Sequence, residues 1–267
     1  MIYGLGIVGC GSIGRALVLA GHAGQLGAPV AGVASRTSET AREFLHSLDS
    51  PPPYLEMEEL VERSSLVIET AGGHVVPYLA EAAFGAGRDL MVISIGALLE
   101  HPEIIQRSRE TGCRLYAPSG AIAGLDGIKS ACQGEVDKVE MVSRKPIAAL
   151  EGAPYLVENE IPLGQFTDAQ EVFYGTAREA CRGFPSNLNV SAAVSLAGIG
   201  PDRTTVRIVA DPALTRNCHD ITVEGEFGVL QVHIENIPSE NPKTGRLTAL
   251  SIIRSVRDVF DSVRVGT

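Results

Sequence analysis

The apolar run Ile2-Tyr3-Gly4-Leu5-Gly6-Ile7-Val8 leads without a break into Gly9-Cys10-Gly11-Ser12-Ile13-Gly14 and then into the helix-like Arg15-Ala16-Leu17-Val18-Leu19-Ala20. Strand, GxGxxG and helix in that order constrain the fold more than any other feature of the chain. Gly9 permits the tight turn out of the strand, Gly11 lets backbone approach a pyrophosphate, and Gly14 lets helix and strand pack closely. The helix N-terminus then offers free N–H groups to phosphate oxygens. A bare GxGxxG arises by chance in a chain with 29 glycines, so the flanking strand and helix are what give this one weight. The segment reads as a dinucleotide loop in which Gly9, Gly11, Ser12, Ile13 and Gly14 contact the cofactor.

The pattern continues beyond the loop. Strands are expected at 2–8, 29–34, 66–70, 90–94 and 114–117, with a weak one near Tyr54. Helices are expected between them at 12–25, 38–47, 56–63, 75–86 and 99–111, with Thr40 and Glu43 as a capping box and Pro77 in a first turn. These strands are continuous apolar runs, as in a parallel sheet covered on both faces. The expectation is an α/β fold, with a doubly wound Rossmann domain over residues 1–120. After Ser119 the order changes. Helices are expected at 122–133, 169–182 and 190–196, and strands at 136–143, 204–210, 220–224 and 228–236. Leu230, Val232 and Ile234 alternate with Gln231, His233 and Glu235, the mark of a sheet with one wet face. Residues 121–245 therefore read as a second, α+β domain on a mixed or antiparallel sheet, for substrate and catalysis. A last amphipathic helix, 247–260, lies in a segment (246–267) that can return to the first domain.

Composition narrows the classes of function. Lys and Arg number 22 against 32 Asp and Glu, a formal charge of −10, which argues against nucleic acid and anionic membranes as partners. No apolar run is long enough to span a bilayer, and no basic leader precedes the first strand. The five cysteines are scattered and lack CxxC spacing, so they read as reduced thiols of a cytoplasmic protein, with no metal site expected.

Several local sequences add chemistry: Ser94-Ile95-Gly96-Ala97-Leu98, Pro118-Ser119-Gly120-Ala121-Ile122-Ala123-Gly124-Leu125-Asp126, Phe184-Pro185-Ser186-Asn187-Leu188-Asn189-Val190, Asp211-Pro212-Ala213-Leu214-Thr215-Arg216-Asn217-Cys218-His219-Asp220-Ile221 and Asn241-Pro242-Lys243-Thr244-Gly245. Together with the glycine loop, in this order and over nearly the whole chain, they resemble the L-aspartate dehydrogenases of NAD biosynthesis. That resemblance implies NAD(P)-dependent oxidative deamination of L-aspartate to iminoaspartate, which hydrolyses to oxaloacetate and ammonia. It also implies a homodimer built on the second domain's sheet. The family's catalytic histidine maps onto His219, and its cofactor contacts map onto Ala123 and Asn189.

Those residue types suit that chemistry. A histidine that titrates near neutrality can take and return a proton, and Asn217 or Asp220 is placed to orient the His219 ring. The other five histidines (22, 46, 74, 101 and 233) read as structural or solvated. Cys218 beside His219 is discounted as a nucleophile, because adjacent strand residues face opposite ways. A side-chain amide at Asn189 can bond the nicotinamide carboxamide. Two substrate carboxylates need cationic or N–H partners, for which Lys145, Asn217, Lys243, Thr244 and Ser119 are candidates. An acid ending the second strand would favour NAD. Ser35-Arg36-Thr37 stands there instead, so Ser35 and Arg36 are read as a 2′-phosphate site, and NADP is expected to serve at least as well as NAD. Competing readings are a two-domain reductase of the dihydrodipicolinate or homoserine type, or a non-catalytic NAD(P)-binding regulator. The paired histidines and lysine of the former are not found, and a basic DNA-binding module for the latter is absent.

Overall fold

A computed structural model describes residues 4–185, 188–239 and 245–266. It separates into two compact units, residues 1–118 with 249–264 and residues 119–248 with 265–267.

The first unit is built on five parallel strands, β1 (Leu5–Val8), β2 (Val30–Ala34), β3 (Leu66–Glu69), β4 (Asp89–Val92) and β5 (Leu115–Tyr116), in the order β2-β1-β3-β4-β5. All four residues of β1 and all four of β3 are buried, as a sheet covered on both faces requires. Helices Ser12–His22, Ser38–His46, Met57–Arg63, Val76–Gly85 and Glu103–Thr111 connect the strands. Ile252 and Val256 of the last helix, Arg246–Phe260, join Leu5, Ile7 and Leu17 in this unit's core.

The second unit carries a mixed sheet of β6 (Val136–Lys145), β7 (Gln170–Thr176), β8 (Thr205–Ala210), β9 (Asn217–Gly225) and β10 (Gly228–Asn236), in the order β10-β9-β6-β8-β7. Only β6 and β8 run parallel; the other neighbours are antiparallel. Along β6 the inward residues Val139, Met141, Ser143 and Lys145 are buried, whereas Glu140 and Val142 between them are half-buried and Arg144 is exposed. Helix Ala177–Gly183 packs on β7 and β8.

Four local expectations are corrected. Residues 169–182 do not form one helix: Gln170–Thr176 is a strand paired with β8, and the helix starts at Ala177. Thr176 and Glu179 form a reciprocal capping box there, and a cap of that kind sets where a helix begins. The Thr40–Glu43 box does not form, because the helix already begins at Ser38 and the Thr40 hydroxyl donates back to the Thr37 carbonyl. The expected helix 99–111 is two helices, Ala97–Glu100 and Glu103–Thr111, divided at His101-Pro102, since a residue before proline avoids the helical region. The expected helix 122–133 is shortened to Leu125–Ala131, with Gly124 at φ +82° ahead of it. Near Tyr54 there is only an isolated bridge to Val33. No described helix is long and apolar enough to cross a membrane.

Candidate active site

In the first unit the glycines divide the work as their geometry dictates. Gly9 has φ +106°, and a Cβ on it would lie 2.7 Å from the Thr70 backbone. A Cβ on Gly14 would lie 2.0 Å from the Gly9 carbonyl oxygen. Neither position has room for a side chain. At Gly11 a Cβ would meet nothing within 4 Å, yet Gly11 borders a cavity of about 410 Å³ together with Gly9 and Cys10. The space that a side chain would fill there is the space a pyrophosphate needs. Gly11 also precedes the helix Ser12–His22 without a side-chain cap, which leaves first-turn N–H groups for an anion. The loop is pinned from β3: the Thr70 hydroxyl sits 3.0 Å from both the Val8 and Gly9 carbonyls.

The same cavity is lined by Ser35, Arg36 and Thr37 after β2, and by Tyr54 and Glu56. The Tyr54 hydroxyl donates to the Ser35 carbonyl at 2.7 Å, and Arg42 lies 4.1 Å over the Tyr54 ring. Arg36 is exposed. Glu56 was not anticipated as part of this wall; its place at the start of a helix close after the β2 partner Tyr54 is a tertiary fact.

Glu69 is another unanticipated residue. It ends β3 with no solvent exposure, and its carboxylate accepts from Ala71 N and Gly72 N at 2.7 Å, Ile93 N at 3.2 Å, Ser94 N at 2.9 Å and Ser94 Oγ at 3.1 Å. Five donors offset the cost of burying its charge. One side chain thereby shapes the loops after two adjacent strands, at the sheet end where doubly wound folds bind ligands. An acid inside the apolar run Leu66-Val67-Ile68-Glu69 is the sequence signal that marks it.

The second unit holds a polar cluster on the inner sheet face. Ser143 of β6 and His219 of β9 are register partners, and Ser143 Oγ lies 3.1 Å from His219 Nδ1. Lys145 and Asn217 follow on the same face, because Arg144 pairs with Cys218 between them. His219 and Lys145 are each only 2 % exposed and Asn217 3 %. Burial and the Lys145 charge push the imidazole down to about 3, so it is neutral at physiological pH and does not titrate near neutrality as expected. Burial alone pulls the Lys145 ammonium down to about 8. Among the described residues no carboxylate lies within 4 Å of it to form an ion pair.

Alternation explains which neighbours of His219 stay out of the cluster. Asp220 does not orient the ring, because it points to the other face and binds His233 and Arg144. That pairing with His233 and Arg144 outweighs partial burial and keeps its carboxyl low. Ser143, on a different strand, takes the orienting position, a pairing that only the sheet register reveals. Cys218 also faces away from the cluster, with its Sγ toward the Arg216 carbonyl.

Ala123 is exposed on the segment before helix Leu125–Ala131. The buried Asn236 amide donates to the adjacent Ala121 carbonyl at 2.6 Å and ties that segment to the end of β10. Ser119 is half-buried at the start of the same segment. Asn189 opens the helix Asn189–Ala197. Lys243 and Thr244 lie outside the described residues.

Comparison with known proteins places this geometry. Residues 126–259 match the aspartate dehydrogenase C-terminal family, and residues 9–118 match the NAD-binding domain of homoserine dehydrogenase. The chain is 43 % identical over 261 residues to an L-aspartate dehydrogenase of Bradyrhizobium diazoefficiens, covering 98 % of this chain and 93 % of that protein. The chain belongs to the L-aspartate dehydrogenase family. L-aspartate dehydrogenase 3 of Bordetella bronchiseptica is 41 % identical, with 99 % of this chain and 97 % of that one covered. The crystal structure of aspartate dehydrogenase from Thermotoga maritima superposes with a TM-score of 0.75 over 99 % of each chain, at 24 % identity. That likeness supports the α/β fold described above. The glycine-loop unit is thus a pyridine-nucleotide domain, and the buried cluster falls inside the family's own C-terminal region.

Proposed function

We propose that this protein catalyses the NAD(P)-dependent oxidative deamination of L-aspartate to iminoaspartate, which water converts to oxaloacetate and ammonia. The observation that carries the reading is the inner face of the second sheet, where a neutral histidine shares a buried surface with an ammonium that has no ion-pair partner among the described residues. The relatives named above carry the name L-aspartate dehydrogenase, which supports the substrate in this reading.

The substrate nitrogen must lose a proton before its lone pair can form the C=N bond as hydride leaves Cα. His219 is neutral and can accept that proton, with Ser143 holding Nδ1 and leaving Nε2 for the substrate. A bound nicotinamide supplies the hydride acceptor. Water then adds to the resulting iminium and gives up a proton to solvent, and the protonated ring returns its proton to the nitrogen as it departs as ammonia, so a single imidazole serves both half-reactions. Low solvent access at His219 and Lys145 strengthens each charge interaction during these steps. Asn189 is assigned to the nicotinamide carboxamide and Ala123 to cofactor backbone contact. Lys145 and Asn217 are assigned to the substrate.

For the nucleotide, Arg36 supplies a cation for a 2′-phosphate, and Glu56 on the same cavity supplies an acceptor for an unmodified ribose hydroxyl. The wall therefore suits both nucleotides, and NADP should serve at least as well as NAD. Arg36→Ala should lower kcat/KM for NADP about 10-fold and leave NAD nearly unchanged; an unaltered NADP-to-NAD ratio contradicts the assignment. The substrate reading is tested by following absorbance at 340 nm with L-aspartate, L-homoserine and other amino acids. Turnover confined to L-aspartate supports it, and faster turnover of L-homoserine contradicts it.

A further inference from the structure

We propose that Lys145 is the anchor for a substrate carboxylate and, through that contact, the positioning residue that decides whether His219 can hold a proton. The inference deepens the function proposed above and rests on it for the identity of the dicarboxylate.

The geometry points to an anion at Lys145. A buried ammonium is normally paired with a carboxylate or deprotonated, because desolvation strongly disfavours the lone charge. Here the side chain emerges from β6 between Ala210 of β8 and the Asn217 end of β9, and no ion pair meets it among the described residues. The adjacent acid, Asp211, is engaged elsewhere: its Oδ1 accepts from Ala213 N at 2.9 Å. Its own backbone N–H goes to the Lys145 carbonyl. Cys181, a buried thiol on helix Ala177–Gly183 against β7 and β8, has its Sγ 3.4 Å from Ser191 Oγ. Among the described residues the face thus carries a positive charge with no ion-pair partner, beside an imidazole held by one hydroxyl.

That arrangement conflicts with proton transfer until a ligand arrives. With Lys145 charged and bare, a proton on His219 is opposed by burial and by a like charge. A carboxylate bound to Lys145 cancels the repulsion and places negative charge near the ring, so the imidazolium becomes accessible only with substrate present. The free protein would then keep a poor base, and the liganded one a competent acid–base group. Linking base strength to occupancy limits proton exchange with water when no dicarboxylate is bound.

The test uses the full chain with NAD bound and succinate as an unreactive dicarboxylate. The His219 ring is followed by NMR, and its signals are assigned by their loss in His219→Asn. Without succinate the ring should stay neutral between about pH 5 and pH 8; saturating succinate should raise its titration by at least about one pH unit. Lys145→Met should titrate His219 at higher pH even without ligand, lose the response to succinate, and raise KM for L-aspartate about 100-fold. Lys145→Gln provides the same readouts if the Met variant does not fold. An imidazole that titrates identically with and without succinate, or a Lys145 variant with unchanged KM, overturns the proposal. A succinate response without aspartate turnover supports the anchor and removes aspartate as substrate; aspartate turnover without that response removes the anchor and leaves aspartate standing.

Discussion

The two units build their sites from opposite materials. In the first, the nucleotide loop is made of missing side chains: Gly9 and Gly14 exclude a Cβ by contact, and Gly11 leaves the cavity open. In the second, the candidate catalytic face is made of side chains that burial makes costly, with Lys145 and His219 removed from water on adjacent strands. Backbone shape recognises a group common to all dinucleotides. On the reading proposed above, the buried ammonium of Lys145 recognises a particular substrate and stores free energy that its binding releases. The difference predicts that damage to the two units should separate nucleotide affinity from turnover.

The largest separation should come from His219. His219→Asn is expected to reduce kcat roughly 100-fold or more while nucleotide affinity, measured by fluorescence titration, is preserved. Its stability should also lose a pH slope. The folded imidazole sits at about 3 against an ordinary 6.5, so the unfolded chain binds the extra proton between those values. The wild type therefore loses stability as pH falls from 6.5 toward 3, and the variant should lack that contribution.

Glu69 gives the converse case in the first unit. Glu69→Gln turns an acceptor of five hydrogen bonds into a group that faces those donors with an NH₂ of its own. Stability should drop by about 3 kcal/mol, and nucleotide KM should rise about 10-fold, with kcat at saturating nucleotide little changed. Equal KM and melting temperature would show that the loops after β3 and β4 hold their shape without it.

A smaller effect, of opposite sign, is expected of Lys145. Its folded value of about 8 lies below the ordinary 10.5, so below pH 8 the charged side chain opposes folding. Lys145→Met should stabilise the protein at pH 7 by about 2 kcal/mol by chemical denaturation. The advantage should shrink between pH 8 and 10.5, where the folded wild type has shed the proton and the unfolded chain has not. A destabilised Met variant would show that Lys145 is satisfied in the fold and not held for a ligand.

Much of the first unit could be read from the chain because its signals are local. Glycine spacing, apolar runs and helix periods occupy consecutive residues, and β1 with its following helix appears where the pattern puts it. The buried cluster was only half visible. His219 is marked by the motif that carries it, but its partner Ser143 lies 76 residues away and is identified by the register of two strands. Val172, Phe173, Tyr174 and Thr176 favour a strand, but the helical segment Ala177–Gly183 follows without a break and draws the reading of the whole stretch toward helix; pairing with β8 sets the strand. Lysine burial is equally invisible locally: Lys145 ends the strand segment Val142-Ser143-Arg144-Lys145, where a charged residue normally means solvent.

Deuterium transfer tests the proposed chemistry most directly. L-aspartate labelled with deuterium at Cα is incubated with the protein and oxidised NAD or NADP, and the reduced nucleotide is analysed by mass spectrometry. Hydride transfer from Cα predicts one deuterium in the reduced ring and a slowed rate relative to unlabelled substrate wherever that step limits turnover. Bound nucleotide that is never reduced, or a reduced ring without deuterium, would contradict it.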